Sequence, residues 1–255
     1  MTVIERLHLD GRWLFVRRSL VPLALLPVLI LSLPSSFESE ALMGPVWADV
    51  CQWVALAIAL TGIAIRAVTV SVAPDGNSSR ETRHLRASSL TTTGVYSLVR
   101  HPLYVGNGLM WIGVAASTRV WWLVLVTALA YWLYIERIML VEETYLENLF
   151  GSRYREWAAR TPAFVPRLRG WSRPQGAFSW RRMLSEHNGL LTVAVAFPAI
   201  QILEDVFYSN ESFQSMTTEH RDLLGFVVVA AIVSLVCIAI RRSPLGQQRP
   251  AAVVP

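Results

Sequence analysis

An all-α, polytopic membrane bundle of about six helices is what this sequence predicts, and three observations predict it. Of 255 residues, 53% are apolar and only 16% are charged, with a mean hydropathy of +0.41; that is too little charge for an ordinary soluble surface. The apolar residues gather into runs near the roughly 20 residues a helix needs to cross a bilayer. The basic residues, 23 Arg with no Lys, collect between alternate runs. The same composition excludes disorder, collagen, a coiled coil and a small disulfide scaffold. Absence of Lys excludes Schiff-base chemistry and a phosphate-loop lysine.

The first run extends from about Leu14 or Ser19 to Leu33, the second from Val46 to Val72 and the third from Tyr104 to Ala116. Trp121 to Val141, Gly189 to about Val206, and the uncharged run Leu223 to Ile240 complete the set. The third run is too short to cross comfortably alone. Only Ser117, Thr118 and Arg119 part it from the fourth, so the pair is predicted to form a tight helical hairpin. With the N-terminus inside, the inner segments hold four, five, nine and three arginines, leaving only Arg119 and Arg221 outside. This bias predicts six spans with both termini cytoplasmic.

Arg17 and Arg18 close an 18-residue lead containing acids, and Pro34-Ser35-Ser36 is a poor cleavage site, so the first run is read as a retained helix. The two cysteines, Cys51 and Cys237, fall at opposite faces in this topology and predict neither a disulfide nor a metal site. Residues from Arg241 onward, with Pro244 and Pro250, are expected to be a disordered tail. Trp171 to Met183, with three arginines and three aromatic residues, suits an anionic headgroup layer, although an ordinary basic linker explains it equally well.

Chemistry is expected where polar residues meet the ends of spans two to four. Pro102 fits the first turn of a helix, which puts Arg100 and His101 at its mouth. His101, Tyr104 and Gly108, spaced i, i+3, i+7, then share one face. As the fourth run ends, Glu136, Glu142 and Glu143 stand beside Arg137, a set of carboxylates suited to a cation. The helix-start amides beyond Pro102 suit a carboxylate. A ligand with a positive centre and an amino-acid end would satisfy both. Taken singly, each feature has a plainer reading: a His-Pro turn, a solvated helix end, glycines that let helices pack, aromatic residues of an interface belt.

The stretch Gly94-Val95-Tyr96 through Arg100-His101-Pro102-Leu103-Tyr104-Val105-Gly106, the hairpin, Glu142-Glu143, Leu146, Phe150-Gly151-Ser152-Arg153-Tyr154 and Pro166 together resemble the isoprenylcysteine carboxyl methyltransferase and phospholipid methyltransferase superfamily. Val95 stands where a Pro often follows the Gly. The resemblance covers about residues 50 to 170 and implies S-adenosylmethionine as cofactor. It implies that Arg100, His101, Tyr104 and Gly106 line the cofactor pocket, that Glu142 or Glu143 binds the cofactor, and that Arg137 faces the acceptor, with His101 able to orient a group or take a proton. On this reading residues 1–45 are an N-terminal membrane helix and outer loop, 46–170 a methyltransferase-like core, and 171–255 a basic linker, two-helix extension and tail.

The expected partners are a lipophilic or small methyl acceptor and membrane lipids, with homo-oligomers possible and no nucleic acid. The Lys-free composition suggests a GC-rich bacterial genome, hence the bacterial inner membrane. No Gly-x-Gly-x-x-Gly follows a strand, so the soluble nucleotide-binding design is not expected. Two rival readings remain open from sequence: a steroid-reductase-like membrane enzyme using NADPH, and a non-enzymatic lipid-binding protein.

Overall fold

The computed structural model describes residues 1–73, 87, 89–208 and 221–242, and the described residues are helical apart from turns, loops and an isolated antiparallel bridge between Gly94 and Ser172. The N-terminal lead is itself a helix, α1 (Val3–Arg17). A capping box starts it: Glu5 N donates to the Thr2 hydroxyl at 3.2 Å and Thr2 N donates to the Glu5 carboxylate at 2.7 Å. Gly11 lies against the Arg137 carbonyl, where a side chain would not fit. Phe15 enters a core with Tyr104, Tyr131, Ile135, Ile138 and Met139. Leu9, Trp13 and Val16 remain exposed on the other side.

The first predicted span is shifted. A 3-10 turn (Val21–Leu25) leads into α2 (Leu26–Met43), so the apolar segment runs well past Leu33. Pro34 lies inside that helix without ending it. Ser36 is buried against the Thr118 carbonyl and the Glu204 carboxylate, which fixes the helix there. Helix α3 (Pro45–Val72) and the 15-residue α4 (Pro102–Ala116) follow. At 1.5 Å per residue α4 is about 22 Å long, less than a bilayer core of about 30 Å.

Small residues bring α3 and α4 close. Gly62 and Gly106 face each other backbone to backbone, and a Cβ on Gly113 would lie 2.8 Å from Ala59 N and the Ala55 carbonyl. This is the small-residue contact by which membrane helices pack without a hydrophobic drive. Across the Ser117–Val120 turn, α5 (Trp121–Phe150) continues beyond the predicted end at Val141 until Gly151 (φ +55°) stops it. The predicted hairpin is therefore present, with one arm twice the other.

Helix α6 (Ser152–Ala158) and a long loop lead to α7 (Trp180–Met183), α8 (His187–Tyr208) and α9 (Arg221–Arg242). Val193 and Phe197 of α8 pack with Ala55, Leu56 and Ala59 of α3. Five segments are long and apolar enough to cross a membrane: Val21–Met43, Pro45–Val72, Trp121–Phe150, Trp180–Tyr208 and Arg221–Arg242. With α4 as the short sixth helix, the all-α polytopic bundle stands as predicted. Cys51 and Cys237 are both free thiols. Arg241 and Arg242 finish α9, and the rest of the predicted tail lies outside the described residues, as does much of the Ala73 to Arg100 segment.

Candidate functional site

Two loops hold the start of α4. Arg100 N donates to the Pro162 carbonyl at 2.8 Å, His101 N to the Ala163 carbonyl at 3.2 Å, and Arg167 N to the Leu98 carbonyl at 2.9 Å. The indole of Trp157 donates to the Tyr96 carbonyl at 3.2 Å. Backbone groups that no helix can use are thus paired across the two segments. Their side chains are then presented to the end of α5 in fixed positions.

Glu143 is the hub. Arg100 grips it with two donors, Nε at 3.0 Å and the second guanidinium nitrogen at 3.1 Å, while its third nitrogen donates to the Ala158 and Thr161 carbonyls. A bidentate guanidinium–carboxylate pair fixes orientation as well as charge. His101 Nε2 lies 2.8 Å from the same carboxylate and Nδ1 lies 3.6 Å from Glu142. Tyr104, stacked on the His101 ring at 5.6 Å, donates its hydroxyl to Glu142 at 2.5 Å. Tyr131 donates to the Tyr104 carbonyl at 2.5 Å. Burial disfavours the charged imidazole, but the hydrogen bonds and charges of Glu142 and Glu143 outweigh it and raise the His101 pKa above its ordinary value.

A cavity of about 450 Å³ opens beside this network. Arg100, His101, Tyr104 and Glu142 line it, whereas Glu143 is spent on Arg100 and His101. Two other expected site residues lie elsewhere. Gly106 faces α3, where a Cβ would lie 2.6 Å from Arg66 Cγ. Arg137 lies outside the cavity lining, and its guanidinium donates to the Leu133 carbonyl on its own helix. Glu136 is exposed. Gly108 does share the His101 and Tyr104 face, but Tyr131 fills the space beside it, its ring carbon 2.9 Å from where a Cβ would be.

The remaining wall was not foreseen. Arg66 of α3 donates to Glu186 at 2.8 Å and to Asn107 at 2.7 Å, and all three border the cavity. Phe15 and Arg18 come from α1 and the residue after it, and Tyr134 and Tyr145 from α5. One signal was available: Arg66 interrupts a long apolar run, and an ionisable residue at such a position is costly enough to imply a role. The partner, Glu186, lies 120 residues away and carries no comparable mark. Among the described residues, no group of three or more His, Cys, Asp or Glu side chains is arranged to hold a metal ion.

The fold and this site define a polytopic α-helical membrane protein with a polar, partly aromatic cavity at one end of a short-helix hairpin. Residues 50–153 match the phospholipid methyltransferase family, so the core carries the likeness to the isoprenylcysteine carboxyl methyltransferase and phospholipid methyltransferase superfamily that its motifs indicated. A cobalt-zinc-cadmium resistance protein of Cupriavidus metallidurans is 35% identical over 47% of this chain and 54% of its own length. A nickel-cobalt-cadmium resistance protein of Alcaligenes xylosoxydans is 32% identical over 46% of this chain and 56% of its own. The protein-S-isoprenylcysteine O-methyltransferase of Schizosaccharomyces pombe is 32% identical over 35% of this chain and 36% of its own. The chain thus spans about half the length of the two bacterial relatives. No solved structure matches it.

Proposed function

We propose that this protein is a membrane methyltransferase that uses S-adenosylmethionine, bound from the cytosolic side in the 450 Å³ cavity, to methylate a lipophilic or small acceptor. The observation that carries the reading is the division of labour between the two carboxylates. Glu143 is neutralised by Arg100 and His101, while Glu142 lines the cavity with only the Tyr104 hydroxyl within 2.5 Å and the imidazole farther off at 3.6 Å. The matches to methyltransferases over the core support the same reading.

The donor set suits the cofactor. A cavity of this size falls in the range of small-molecule sites, about 300 to 1,000 Å³. Glu142 offers a negative charge to a cationic centre, Arg18 offers the opposite sign to a carboxylate, Arg66 is held in the wall by Glu186 and Asn107, and Phe15, Tyr134 and Tyr145 offer aromatic faces. When bound, S-adenosylmethionine supplies an electrophilic methyl group. The chain's own work is then to bind, orient and exclude water, effects that in favourable cases supply about 7 to 11 kcal/mol. His101 holds both carboxylates in place. Its raised pKa favours the imidazolium, which can donate to Glu142 and Glu143 at once and suits positioning better than proton removal. Arg100 anchors Glu143 to the loop carbonyls, so the acidic end of α5 cannot swing away from the start of α4.

Cytoplasmic termini and a bacterial inner-membrane location belong to this proposal and rest on the arginine distribution. The test is incubation of the detergent-purified chain and native lipid extract with methyl-labelled S-adenosylmethionine, followed by mass spectrometry. A labelled lipid or small molecule is the expected result; no cofactor binding by calorimetry and no label transfer would overturn the proposal.

A further inference from the structure

A second cavity, of about 700 Å³, lies beside the first and shares Leu90 and Trp157 with it. Its rim holds Arg153, Arg160, Arg167 and Arg169 against a single acid, Glu156. Among the described residues none of these four guanidinium groups has an ion pair or a side-chain hydrogen bond, although Arg155, on the same short helix, reaches Glu147 at 3.4 Å. All four are exposed to water, and together they give the cavity a positive potential that attracts an anion. Thr161, Ser97 and Ser172 add polar groups to the same lining.

The loop carrying Arg167 and Arg169 is pinned. Arg167 N donates to the Leu98 carbonyl, Ser172 N to the Ser97 hydroxyl at 3.0 Å, and Gly94 N to the Ser172 carbonyl at 3.0 Å. Gly170, at φ +111°, makes the turn between the pins, a conformation that a side chain would strain. On this pinned loop basic and apolar residues alternate: Val165, Leu168 and Trp171 are 74%, 81% and 53% exposed beside the arginines. A free inorganic anion would leave that apolar surface in water. A lipid surface satisfies both halves, with apolar side chains entering the headgroup boundary and guanidinium groups meeting phosphate.

We propose that this arginine-lined cavity binds the phosphate of an anionic phospholipid headgroup. The site is separate from the methyl-transfer reading and does not depend on it. The test titrates the full chain, purified in uncharged detergent, with dihexanoyl phosphatidylglycerol, dihexanoyl phosphatidylcholine and inorganic phosphate, followed by calorimetry. Phosphatidylglycerol should bind about tenfold or more tighter than either of the others. The R167Q/R169Q variant should lose about tenfold or more of that affinity, since each basic residue near an anionic surface is worth about fivefold. The R173Q/R181Q variant removes the same charge outside the cavity and should stay within about threefold of the parent.

Neither arginine pair has a described side-chain hydrogen bond or ion pair to lose, so both variants are expected to fold, and S-adenosylmethionine titration of the same samples reports the first cavity independently. Equal binding of the two lipids would overturn the proposal. Phosphate binding as tight as the anionic lipid would make this a site for a free anion. Equal losses in the two double variants would reduce the effect to general basicity.

Discussion

At the Arg100 end of the α4–α5 hairpin a guanidinium grips Glu143 beside a cavity of about 450 Å³. At the turn, the other end of the same hairpin, Arg119 sits between Glu40 at 2.5 Å and Glu204 at 2.8 Å, with the Arg119 and Glu204 side chains only 1% and 3% exposed. Both ends set an arginine and two carboxylates together, although Arg100 itself pairs only with Glu143. At the turn the charges are consumed in joining α2, α8 and the hairpin, and Arg119 holds a left-handed backbone (φ +61°) that a non-glycine residue adopts only when its surroundings require it. At the Arg100 end one carboxylate is consumed and the other faces a space large enough for a ligand. An ionic cluster in a membrane protein is therefore a site only where it borders a cavity; enclosed, it is a clamp.

The clamp is where a single substitution should have the largest effect. Arg119→Ala leaves Glu204 buried without its cation, and such an unpaired charge costs about 3 to 5 kcal/mol. The thermal midpoint in detergent, followed by static light scattering, should fall sharply. An unchanged midpoint would show that the turn cluster holds nothing together. Glu142→Gln should do the reverse, keeping the midpoint close to the parent while weakening S-adenosylmethionine about 10- to 100-fold in calorimetry, the value of a hydrogen bond to a charged group.

Between these extremes lies Gly106→Ala. The added methyl meets Arg66 Cγ at 2.6 Å, and overpacking of this kind costs about 1 to 3 kcal/mol. It should lower the midpoint and, by displacing Arg66, also weaken the cofactor. Loss of binding at an unchanged midpoint would instead favour direct cofactor contact by Gly106, as the family resemblance implies.

The smallest effect is a pH slope. Because the His101 pKa is raised on folding, the folded protein holds a proton that the unfolded chain releases once pH exceeds the ordinary histidine value of about 6.5. Its contribution is complete below that value and is lost as pH rises through the raised one. The stability difference between parent and His101→Gln should therefore shrink as pH rises across this window in paired melting curves. A difference that grew with pH would mean that the imidazole is neutral in the folded protein.

Much of this was legible in single residues. Pro102 gave the start of α4, the spacing of His101 and Tyr104 gave their common face, and three residues between two apolar runs gave the hairpin. Helix α1 was missed although Thr2 and Glu5 carry a capping-box signature, because its charged residues obscured the inward stripe of Gly11, Leu14 and Phe15. The Glu142 and Glu143 roles could not be separated, since adjacent residues on a helix differ by about 100° in direction and only the position of α4 decides which side is enclosed.

By itself the sequence determined the membrane-spanning helices, several of their ends and the chemistry gathered near one end of the hairpin, because length, apolar content and capping act over a few neighbouring residues. The tertiary structure alone decided that Arg119 is enclosed and Glu142 is not, that Arg66 finds Glu186, and that residues outside the matched core close the cavity. Those outcomes depend on how helices rotate and lean against partners tens to more than a hundred residues away, and the local pattern of the chain does not specify that rotation.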